Sequence, residues 1–390
     1  MPKTYTVGVA GCGSIGMAHM EGYVGLKDTV KVVAVSDPLP AARQMYMRDY
    51  GMELGYETAE EMVRKARPEI VSVCVWHKLH APVTVAVAKA GGVKGIICEK
   101  PMATSLAEAD AMIEACDKAG VKLVISHQRR FTPGWEKARA LIASGAIGKP
   151  EAVEIRVAEG LLNWGTHAID GARFVLGDPK PQWVVGAVER RTDRLERNTL
   201  IEDSCIGLVH FEGNVQFFVQ SDLYWENYDA GKFLVRGSEG MLRVEEMAVR
   251  LFNAKTNGWQ DVALDAKEGA KAIGGATNAA QTSELIKWIE GGPVHRGAAT
   301  NARLTLEIML AMFESARQHH VIRLPLKERG YPLELAVNEG KIPVEVPGPY
   351  DIRGFLKRDG IDEVEYSRLR SQGIAHHDAM RRVHDKSKKK

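Results

Sequence analysis

The sequence predicts an α/β protein: an N-terminal doubly wound parallel sheet, followed by an α+β domain with a large, mostly antiparallel open sheet. Two observations predict this fold class. Residues 1–124 alternate between apolar strand-like runs and helical patterns, as in parallel sheets crossed by helices. After about residue 125, strand-like runs joined by short turns dominate. Apolar and polar residues alternate along the run at 152–158, which indicates a sheet with one solvated face.

Length and composition set further limits. The 390 residues suit two domains and a tail, which we expect at 1–124, 125–325 and 326–390. The formal charge of +2 implies no general attraction to nucleic acid, and no apolar run approaches the length of a membrane span. Five cysteines without a C-x-x-C pair indicate reduced thiols in a cytoplasmic protein, and the first strand begins too early to leave room for a signal peptide.

The stretch VGVAGCGSIG at residues 7–16 organises the first domain, because it places G-x-G-x-x-G where a strand turns into a helix. Gly11 permits the tight turn, Gly13 lets a pyrophosphate approach the backbone, and Gly16 lets the helix pack closely on the strand. The N–H groups at the helix start, at Ser14 and Ile15, would face the phosphates. The pattern predicts a dinucleotide-binding Rossmann domain.

A second strand-like run, 30–36, ends at Asp37, which lies 21 residues after Gly16 (37 − 16). This is close to the spacing of about 20 residues expected for the acid that binds the adenosine ribose hydroxyls. The carboxylate would also repel a 2′-phosphate, and Arg43 is the only nearby cation. We therefore expect NAD rather than NADP.

The remaining elements of the first domain follow in order. Helices are expected at 41–50, 59–65, 82–90 and 106–119, and strands at 70–75, 95–98 and 123–125. The ligand of a doubly wound sheet lies at the carboxyl ends of its strands. Those ends carry Gly13, Asp37, Trp76, His77 and Lys100.

The second domain begins with a helix at 133–144. Strands are expected at 152–158, 182–189, 204–211, 215–221, 232–236, 241–244 and 249–252, and helices at 279–290 and 300–319. Apolar residues at successive positions of 215–219 predict burial on both faces, and hence a homo-oligomer, a dimer or a tetramer.

The segment 326–390 reads as an extended, charged, solvated arm or frayed helix that offers a further subunit contact. Its histidines, His376, His377 and His384, are not expected to bind metal, and we predict no metal site.

Four blocks carry a family resemblance: AGCGSIG at 10–16, CEKPMA at 98–103, HQRRFTP at 127–133 and NWGTHAIDGARFVLG at 163–177. Over about residues 5–325 the sequence resembles the Gfo/Idh/MocA family of sugar and polyol oxidoreductases. The resemblance implies a Rossmann domain, an open-sheet second domain, a nicotinamide cofactor and chemistry in the cleft between them. Many relatives associate through the exposed face of that sheet.

Two departures from the family pattern concern the substrate. The family often has T-P-x-x-x-H after its fourth strand, whereas this chain has VWHKLH at 75–80, in which only His80 matches. Trp76 and His77 would reshape the wall near the nicotinamide. The family also often has D-x-G-x-H, where this chain has Asn163, an amide able to bind sugar hydroxyls.

The resemblance implies roles at the site. His167 suits the base that takes a hydroxyl proton, Lys100 the cation beside the developing alkoxide, and Asn163 a group that orients them. The cofactor contacts implied are Gly11, Gly13, Ser14, Ile15, Gly16, Asp37, Trp76, His77, His80, Glu99 and Lys100. The substrate contacts implied are Lys100, Arg129, Arg130, Asn163, Trp164, Thr166, His167 and Asp170.

Several roles stay open at this point. Arg129 and Arg130 either bind an acidic substrate group or form salt bridges at the domain junction, and Asp170 is either a substrate contact or structural. Four aromatic residues either stack on sugar or lie in the core: Trp135, Trp164, Tyr224 and Trp225.

Three functions fit the sequence. The first is an NAD-dependent dehydrogenase or reductase of a sugar, cyclitol or sugar derivative. The second is a redox-neutral enzyme that cleaves glycosides by transient oxidation, elimination and re-reduction. The third, a non-catalytic dinucleotide-binding regulator, is disfavoured by intact Lys100 and His167.

Overall fold

The computed structural model describes residues 3–223, 231–265 and 272–388. The first domain contains a six-stranded parallel sheet of order β3-β2-β1-β4-β5-β6. Its strands are β1 (Tyr5–Ala10), β2 (Val30–Ser36), β3 (Gly55–Tyr56), β4 (Ile70–Val73), β5 (Gly95–Cys98) and β6 (Lys122–Ile125). Its helices are α1 (Ser14–Val24), α2 (Pro40–Tyr50), α3 (Ala59–Ala66), α4 (His80–Ala90) and α5 (Leu106–Ala119). Strands β4 and β5 are wholly buried because helices cover both faces of a parallel sheet.

The second domain is built from strands and four main helices. The strands are β7 (Pro150–Val157), β8 (Pro181–Glu189), β9 (Thr192–Glu196), β10 (Thr199–Leu200), β11 (Ser204–Phe211), β12 (Val215–Ser221), β13 (Phe233–Gly237), β14 (Gly240–Val244), β15 (Val249–Asn253), β16 (Gln260–Asp261) and β17 (Ile322–Arg323). The helices are α6 (Pro133–Ala143), α7 (Thr166–Val175), α8 (Gly275–Ile289) and α9 (Ala299–Gln318).

Nine of these strands form a sheet of order β16-β15-β14-β13-β7-β12-β11-β8-β17, and β9 and β10 pair with each other in a separate small sheet. All pairs of the nine-stranded sheet are antiparallel except β7 with β12, which are parallel. Helix α9 is buried along most of its length, and its side chains share a core with the inner face of the sheet. The predicted fold class is confirmed.

The burial of β12, on the nine-stranded sheet, differs from the burial on both faces that was expected for residues 215–219. Burial alternates along β12, so this strand is not buried on both faces of a single chain. Phe218 is 41% exposed, Ile206 on the adjacent β11 is 51% exposed, and Val185 on β8, the next strand along, is 38% exposed. The prediction of two-sided burial is wrong for one chain because strand residues point alternately to opposite faces.

The C-terminal segment also differs from the expectation of a solvated arm. It forms α10 (Pro332–Asn338), β18 (Val346–Asp351), α11 (Glu363–Ser371) and α12 (His376–Lys388). Tyr366, Leu369 and Met380 are buried and join a core cluster of the first domain that includes Tyr46. An apolar stripe on α11 and α12 is therefore docked on the first domain. The division at about residues 124 and 325 stays a prediction.

Within the described ranges, none of the helices is both long enough and apolar enough to span a membrane. Among the same residues, no group of three or more histidine, cysteine, aspartate or glutamate side chains is arranged to hold a metal ion.

Candidate active site

The glycine-rich turn lies between β1 and α1. Gly11 has φ +101°, and a Cβ there would lie 2.4 Å from the Cys74 carbonyl oxygen. A Cβ on Gly16 would lie 2.5 Å from the Gly11 carbonyl oxygen, so the helix sits close against the strand. A Cβ on Gly13 would meet nothing within 4 Å. The turn thus leaves open space beside Gly13, at the N-terminus of α1, where a diphosphate can approach the backbone.

The half-buried carboxylate of Asp37 follows β2 at the same edge of the sheet. The backbone N–H groups of Cys12 and Leu39 each donate to one of its oxygens, both at 2.9 Å. Each oxygen keeps a lone pair for a further donor. Arg43 donates to the Asp37 main-chain carbonyl rather than to the carboxylate. This arrangement fits the two hydroxyls of an adenosine ribose.

Lys100 follows β5, and its ammonium group crosses to the second domain. Nζ donates to the main-chain oxygen of Asn163 at 3.0 Å and to its Oδ1 at 3.3 Å. Burial lowers the pKa of Lys100 to about 8, although the neighbouring Glu99 and Glu196 carboxylates favour the cation. The lysine therefore stays protonated near neutral pH but releases its proton more readily than a surface lysine.

Glu99 lies beneath Lys100 and faces the interior of the first domain. Burial alone would raise its pKa, but a hydrogen bond with His19 Nε2 at 3.0 Å, together with nearby Lys100, holds it at about 2. Glu99 Oε2 also accepts from the Lys100 backbone N–H at 3.2 Å. The structure thus places Glu99 as an internal support for the Lys100 turn rather than as a wall of the cleft.

Asn163 and His167 come from one local feature, a π-helical turn at Leu161–Gly165 that runs directly into α7. The turn presents Asn163 to Lys100, while Asn163 Nδ2 is buried without a hydrogen-bond partner among the described residues. An unpaired buried donor is costly unless a ligand accepts from it.

His167 begins the helix beside this turn. Burial lowers its pKa well below the ordinary value, and the positive charges of Lys100 and Arg129 lower it further. Its Nδ1 is buried and has no hydrogen-bond partner in the part of the chain that the structure describes. The imidazole is therefore neutral at neutral pH and can accept a proton.

His77 forms a second buried pair, with a residue of the other domain. Its Nδ1 lies 3.0 Å from Glu196 Oε2, at the end of β9, and both side chains are almost fully buried. Burial lowers the pKa of His77. Burial would raise that of Glu196, but contact with His77 and the nearby charges of Arg197 and Lys100 lower the pKa of this carboxyl. A neutral histidine therefore rests against an ionised carboxylate near Lys100. Trp76, half-buried, immediately precedes His77.

Arg129 and Trp164 stack at the edge of the same cleft. The Arg129 guanidinium lies 5.4 Å from the Trp164 ring centroid and pairs with Glu246. The Trp164 ring lies 6.4 Å from that of His167, edge to face. These contacts hold the Trp164 ring beside the His167 imidazole.

Arg130 and Asp170 are not available to a substrate. Arg130 donates from Nε and Nη2 to both oxygens of Asp170 at 2.7 Å, and from Nη1 and Nη2 to Asp178 and to the Arg296 carbonyl. All five of its N–H donors are used. The expected substrate contacts of Arg130 and Asp170 are corrected, because the pair is a buried structural ion pair.

Two further side chains are occupied internally. Thr166 Oγ1 lies 3.2 Å from Nε2 of His127, whose Nδ1 lies 3.2 Å from Asp170 Oδ1. His80 has its Nδ1 2.6 Å from the Pro101 carbonyl and its Nε2 3.1 Å from the Val75 carbonyl. The expected cofactor contact of His80 is corrected, since both of its ring nitrogens already lie against main-chain carbonyls. The substrate contact expected of Thr166 stays a prediction, because its hydroxyl can make a second hydrogen bond.

Of the four aromatic residues considered for sugar stacking, two can be placed. Trp135 is fully buried, donates from Nε1 to the Gly231 carbonyl at 3.0 Å and packs against Phe233, so it belongs to the core. Trp164 lines the cleft. Tyr224 and Trp225 lie outside the described residues.

Sequence reasoning missed Glu196 and His127. Glu196 lies 119 positions after His77 (196 − 77), on a short strand of the other domain, and no local pattern marks it. His127 stands at the head of the HQRRFTP block, directly before Arg129 and Arg130 in the same short segment, and that position was the available signal.

The fold and this geometry first define a class: a two-domain, NAD-binding oxidoreductase with polar side chains from both domains meeting at one cleft. Residues 5–127 match the model described as "Oxidoreductase family, NAD-binding Rossmann fold", and residues 135–243 match the "GFO/IDH/MocA C-terminal domain". These matches together cover more than half of the chain. The protein belongs to the Gfo/Idh/MocA family of oxidoreductases, and the resemblance is confirmed.

Two relatives differ in how much of the chain they match. Myo-inositol 2-dehydrogenase of Thermotoga maritima is 31% identical over 186 residues, which is 44% of this chain and 55% of that enzyme. The chain thus spans about half the length of this relative. D-apiose dehydrogenase of Paraburkholderia graminis is 24% identical over 368 residues, 87% of this chain and 95% of that enzyme.

Solved structures share the fold. Levoglucosan dehydrogenase in complex with NADH and levoglucosan superposes with a TM-score of 0.72 at 21% identity, covering 83% of this chain and 100% of that chain. An oxidoreductase from Agrobacterium radiobacter in complex with NAD+, L-tartaric acid and magnesium has a TM-score of 0.70 at 19% identity, covering 82% and 98%. About a sixth of this chain (100 − 83 = 17%) has no counterpart in the former.

Proposed function

We propose that the protein is an NAD-dependent oxidoreductase that moves a hydride between a secondary hydroxyl of a sugar, cyclitol or sugar derivative and the nicotinamide. One observation carries the proposal: Lys100 of the first domain binds Asn163 of the second, four residues before His167. The side chains expected for alcohol oxidation thus meet from opposite walls of the cleft.

Lys100 and His167 would have different roles in removing the proton from the substrate hydroxyl. NAD, held by the glycine-rich turn and Asp37, would supply the hydride acceptor for the carbinol carbon and, in the second candidate reaction below, the hydride donor for the return step. Lys100 Nζ holds the substrate oxygen and stabilises the charge that develops as its proton leaves. The neutral imidazole of His167 takes that proton.

Three neighbours would position the substrate. Asn163 Nδ2, buried and unpaired among the described residues, would donate to a second hydroxyl. The Trp164 ring, held by Arg129, offers an apolar face of the kind on which sugars stack. Trp76 would close the nicotinamide side. Together these groups fit a polyhydroxylated ring better than a simple alcohol.

A screen tests the proposal. Purified protein with NAD is offered sugars, cyclitols, sugar acids and aryl glycosides, while NADH formation and aglycone release are followed together. NADH that accumulates with turnover of a polyol or sugar supports the proposal. NAD binding without turnover of any member of these classes would favour the non-catalytic regulator.

The His77–Glu196 pair favours a second candidate, redox-neutral glycoside cleavage. After the carbinol becomes a ketone, the pair would take a proton from the adjacent carbon. The C–O bond to the leaving group breaks, and the leaving group takes up a proton. Water then adds across the double bond and the carbonyl is reduced again. A neutral histidine backed by an ionised carboxylate suits the first of these proton transfers.

The two candidates separate in one comparison. For a glycosidase, aglycone appears without net NADH, and Glu196→Gln slows both aglycone release and deuterium uptake from D2O at the carbon beside the ketone. For a dehydrogenase, NADH accumulates, and no such deuterium uptake occurs.

We propose NAD over NADP, because Asp37 would bind ribose hydroxyls and repel a 2′-phosphate. Titration calorimetry with both cofactors checks this preference. Tighter binding of NADP would contradict it.

We also propose a homo-oligomer that covers the exposed apolar residues of the nine-stranded sheet, Val185, Ile206 and Phe218. Light scattering at micromolar concentration should give a multiple of 42.9 kDa, and the monomer mass would count against it. All five cysteines are buried free thiols, which fits the proposed cytoplasmic location.

A further inference from the structure

The segment 346–388, which we call the C-terminal strap, is attached to the second domain at its start. Strand β18 pairs with β9. The Asp351 carboxylate accepts from the backbone N–H groups of Arg197 at 3.0 Å and Asn198 at 3.3 Å, and Lys357 Nζ donates to Asn198 Oδ1 at 3.1 Å. These contacts fix the strap at the hairpin that also carries Glu196.

The rest of the strap lies on the first domain, at the cofactor end of its sheet. Arg358 Nη1 lies 3.5 Å from Met45 Sδ on α2, and Arg370 Nη2 lies 3.8 Å from Met17 Sδ on α1. The strap therefore spans from one domain to the other across the edge at which Asp37 and the glycine-rich turn are found.

One contact reaches the glycine-rich turn itself. His377, near the start of α12, places Nε2 3.4 Å from Oγ of Ser14, the first residue of α1. The Phe355 ring lies 6.2 Å from the His377 ring, edge to face, and carries the Arg381 guanidinium 4.7 Å above its centroid. The His377 imidazole is thus held beside the open space at Gly13.

Arginine side chains of the strap and of the β9–β10 hairpin surround His377. Burial lowers the pKa of His377, and the nearby charges of Arg353, Arg197 and Arg381 lower it further. Arg353 pairs with Glu159. Arg197 pairs with Glu196 at 3.3 Å. Because its pKa is lowered, His377 is neutral near pH 7, and its ring N–H is a donor that a dinucleotide diphosphate at the positive end of α1 can accept from.

We infer that the C-terminal strap is part of the cofactor site. It covers the outer side of the glycine-rich turn, and His377 contacts the diphosphate of bound NAD. NAD then exchanges only when the strap lifts, so the cofactor is retained between turnovers. This inference rests on the proposed NAD-dependent function.

Hydrogen exchange of the full chain, with and without NAD, tests the strap directly. We expect NAD to slow amide exchange both at residues 11–16 and at the start of α12, residues 376–380. Protection at 11–16 with unchanged exchange in α12 would overturn the strap inference alone. No protection at 11–16 would instead overturn NAD binding at this turn, and with it the proposed function.

A matched pair of variants tests His377. His377→Ala is compared with Arg382→Ala, which changes an exposed residue of the same helix. Bound NADH is displaced by excess NAD in a stopped-flow instrument, and the loss of its fluorescence gives the dissociation rate. We expect His377→Ala to raise that rate at least tenfold and Arg382→Ala to leave it unchanged. A rate for His377→Ala within twofold of the wild type would overturn the inference.

Discussion

Two groups of buried charged side chains lie close together in this protein and differ in how fully their polar atoms are used. Around Arg130, every guanidinium N–H is bonded, chiefly to Asp170 and Asp178. Around Lys100, Asn163 Nδ2 and His167 Nδ1 have no hydrogen-bond partner among the described residues. We call these the Arg130 cluster and the Lys100 cluster.

This difference in hydrogen bonding distinguishes a cluster that stabilises the fold from one that can bind a ligand. A buried group with all its donors and acceptors satisfied has nothing left to offer a ligand, and breaking it costs stability. A buried group with an unpaired donor can still be completed by a ligand or by ordered water. The Arg130 cluster therefore holds α7 in place, and we propose that the Lys100 cluster is the part that binds substrate and reacts.

The largest expected effect is at the Lys100 cluster. His167→Ala removes the proton acceptor and Lys100→Ala the cation. Each should lower kcat by about 10²- to 10⁴-fold, the range that general acid–base catalysis supplies. Steady-state kinetics and thermal melts check this, and the melting temperature of His167→Ala should stay close to that of the wild type. Near-normal kcat for His167→Ala would point to His77 as the base.

The Arg130 cluster should respond in the opposite way. Arg130→Met leaves Asp170 buried without its partner, so unfolding in denaturant should need about 3–5 kcal/mol less free energy. Arg139→Met is the matched control. Its ion pair with Asp178 is half-exposed and should contribute at most about 1 kcal/mol. A stable Arg130→Met protein with a raised KM would show that Arg130 binds substrate. It would contradict the distinction between the Arg130 and Lys100 clusters.

The pH dependence of kcat/KM tests which residue of the Lys100 cluster is the base and which is the cation. His167, with its lowered pKa, is already neutral at pH 7, and Lys100 loses its proton at about pH 8. For alcohol oxidation, kcat/KM should therefore fall as pH rises through about 8. Lys100→Arg should remove that alkaline decline, because the guanidinium stays charged. Activity that instead rises through pH 8 would make Lys100 the base.

The fold class and most of the candidate site could be predicted from the sequence, because the residues that define them lie in short local patterns. The glycine-rich turn, Asp37, Lys100 and His167 each follow a strand or begin a helix, so their positions follow from short-range rules. The pairing of His77 with Glu196, and of Arg130 with Asp178, depends on which loops the fold brings together. A single sequence does not contain that information in any local spacing.

The prediction for the C-terminal strap was wrong for a different reason. Its many charges predict a solvated arm, yet Tyr366 and Leu369 lie three residues apart, and Ala379, Met380 and Val383 follow the same helical spacing. This narrow apolar stripe was the available signal. The charged residues around this stripe, on the outer faces of the two helices, led instead to the prediction of a solvated arm.

The central claim is that Lys100 and His167 act on one proton transfer, and a double-mutant cycle tests it most directly. We predict that kcat of Lys100→Ala/His167→Ala falls by much less than the product of the two single losses, because each residue needs the other. NAD affinity of His167→Ala should match the wild type, and that of Lys100→Ala should fall only modestly. Fully multiplicative losses in kcat would show that the two residues act independently and would contradict the account.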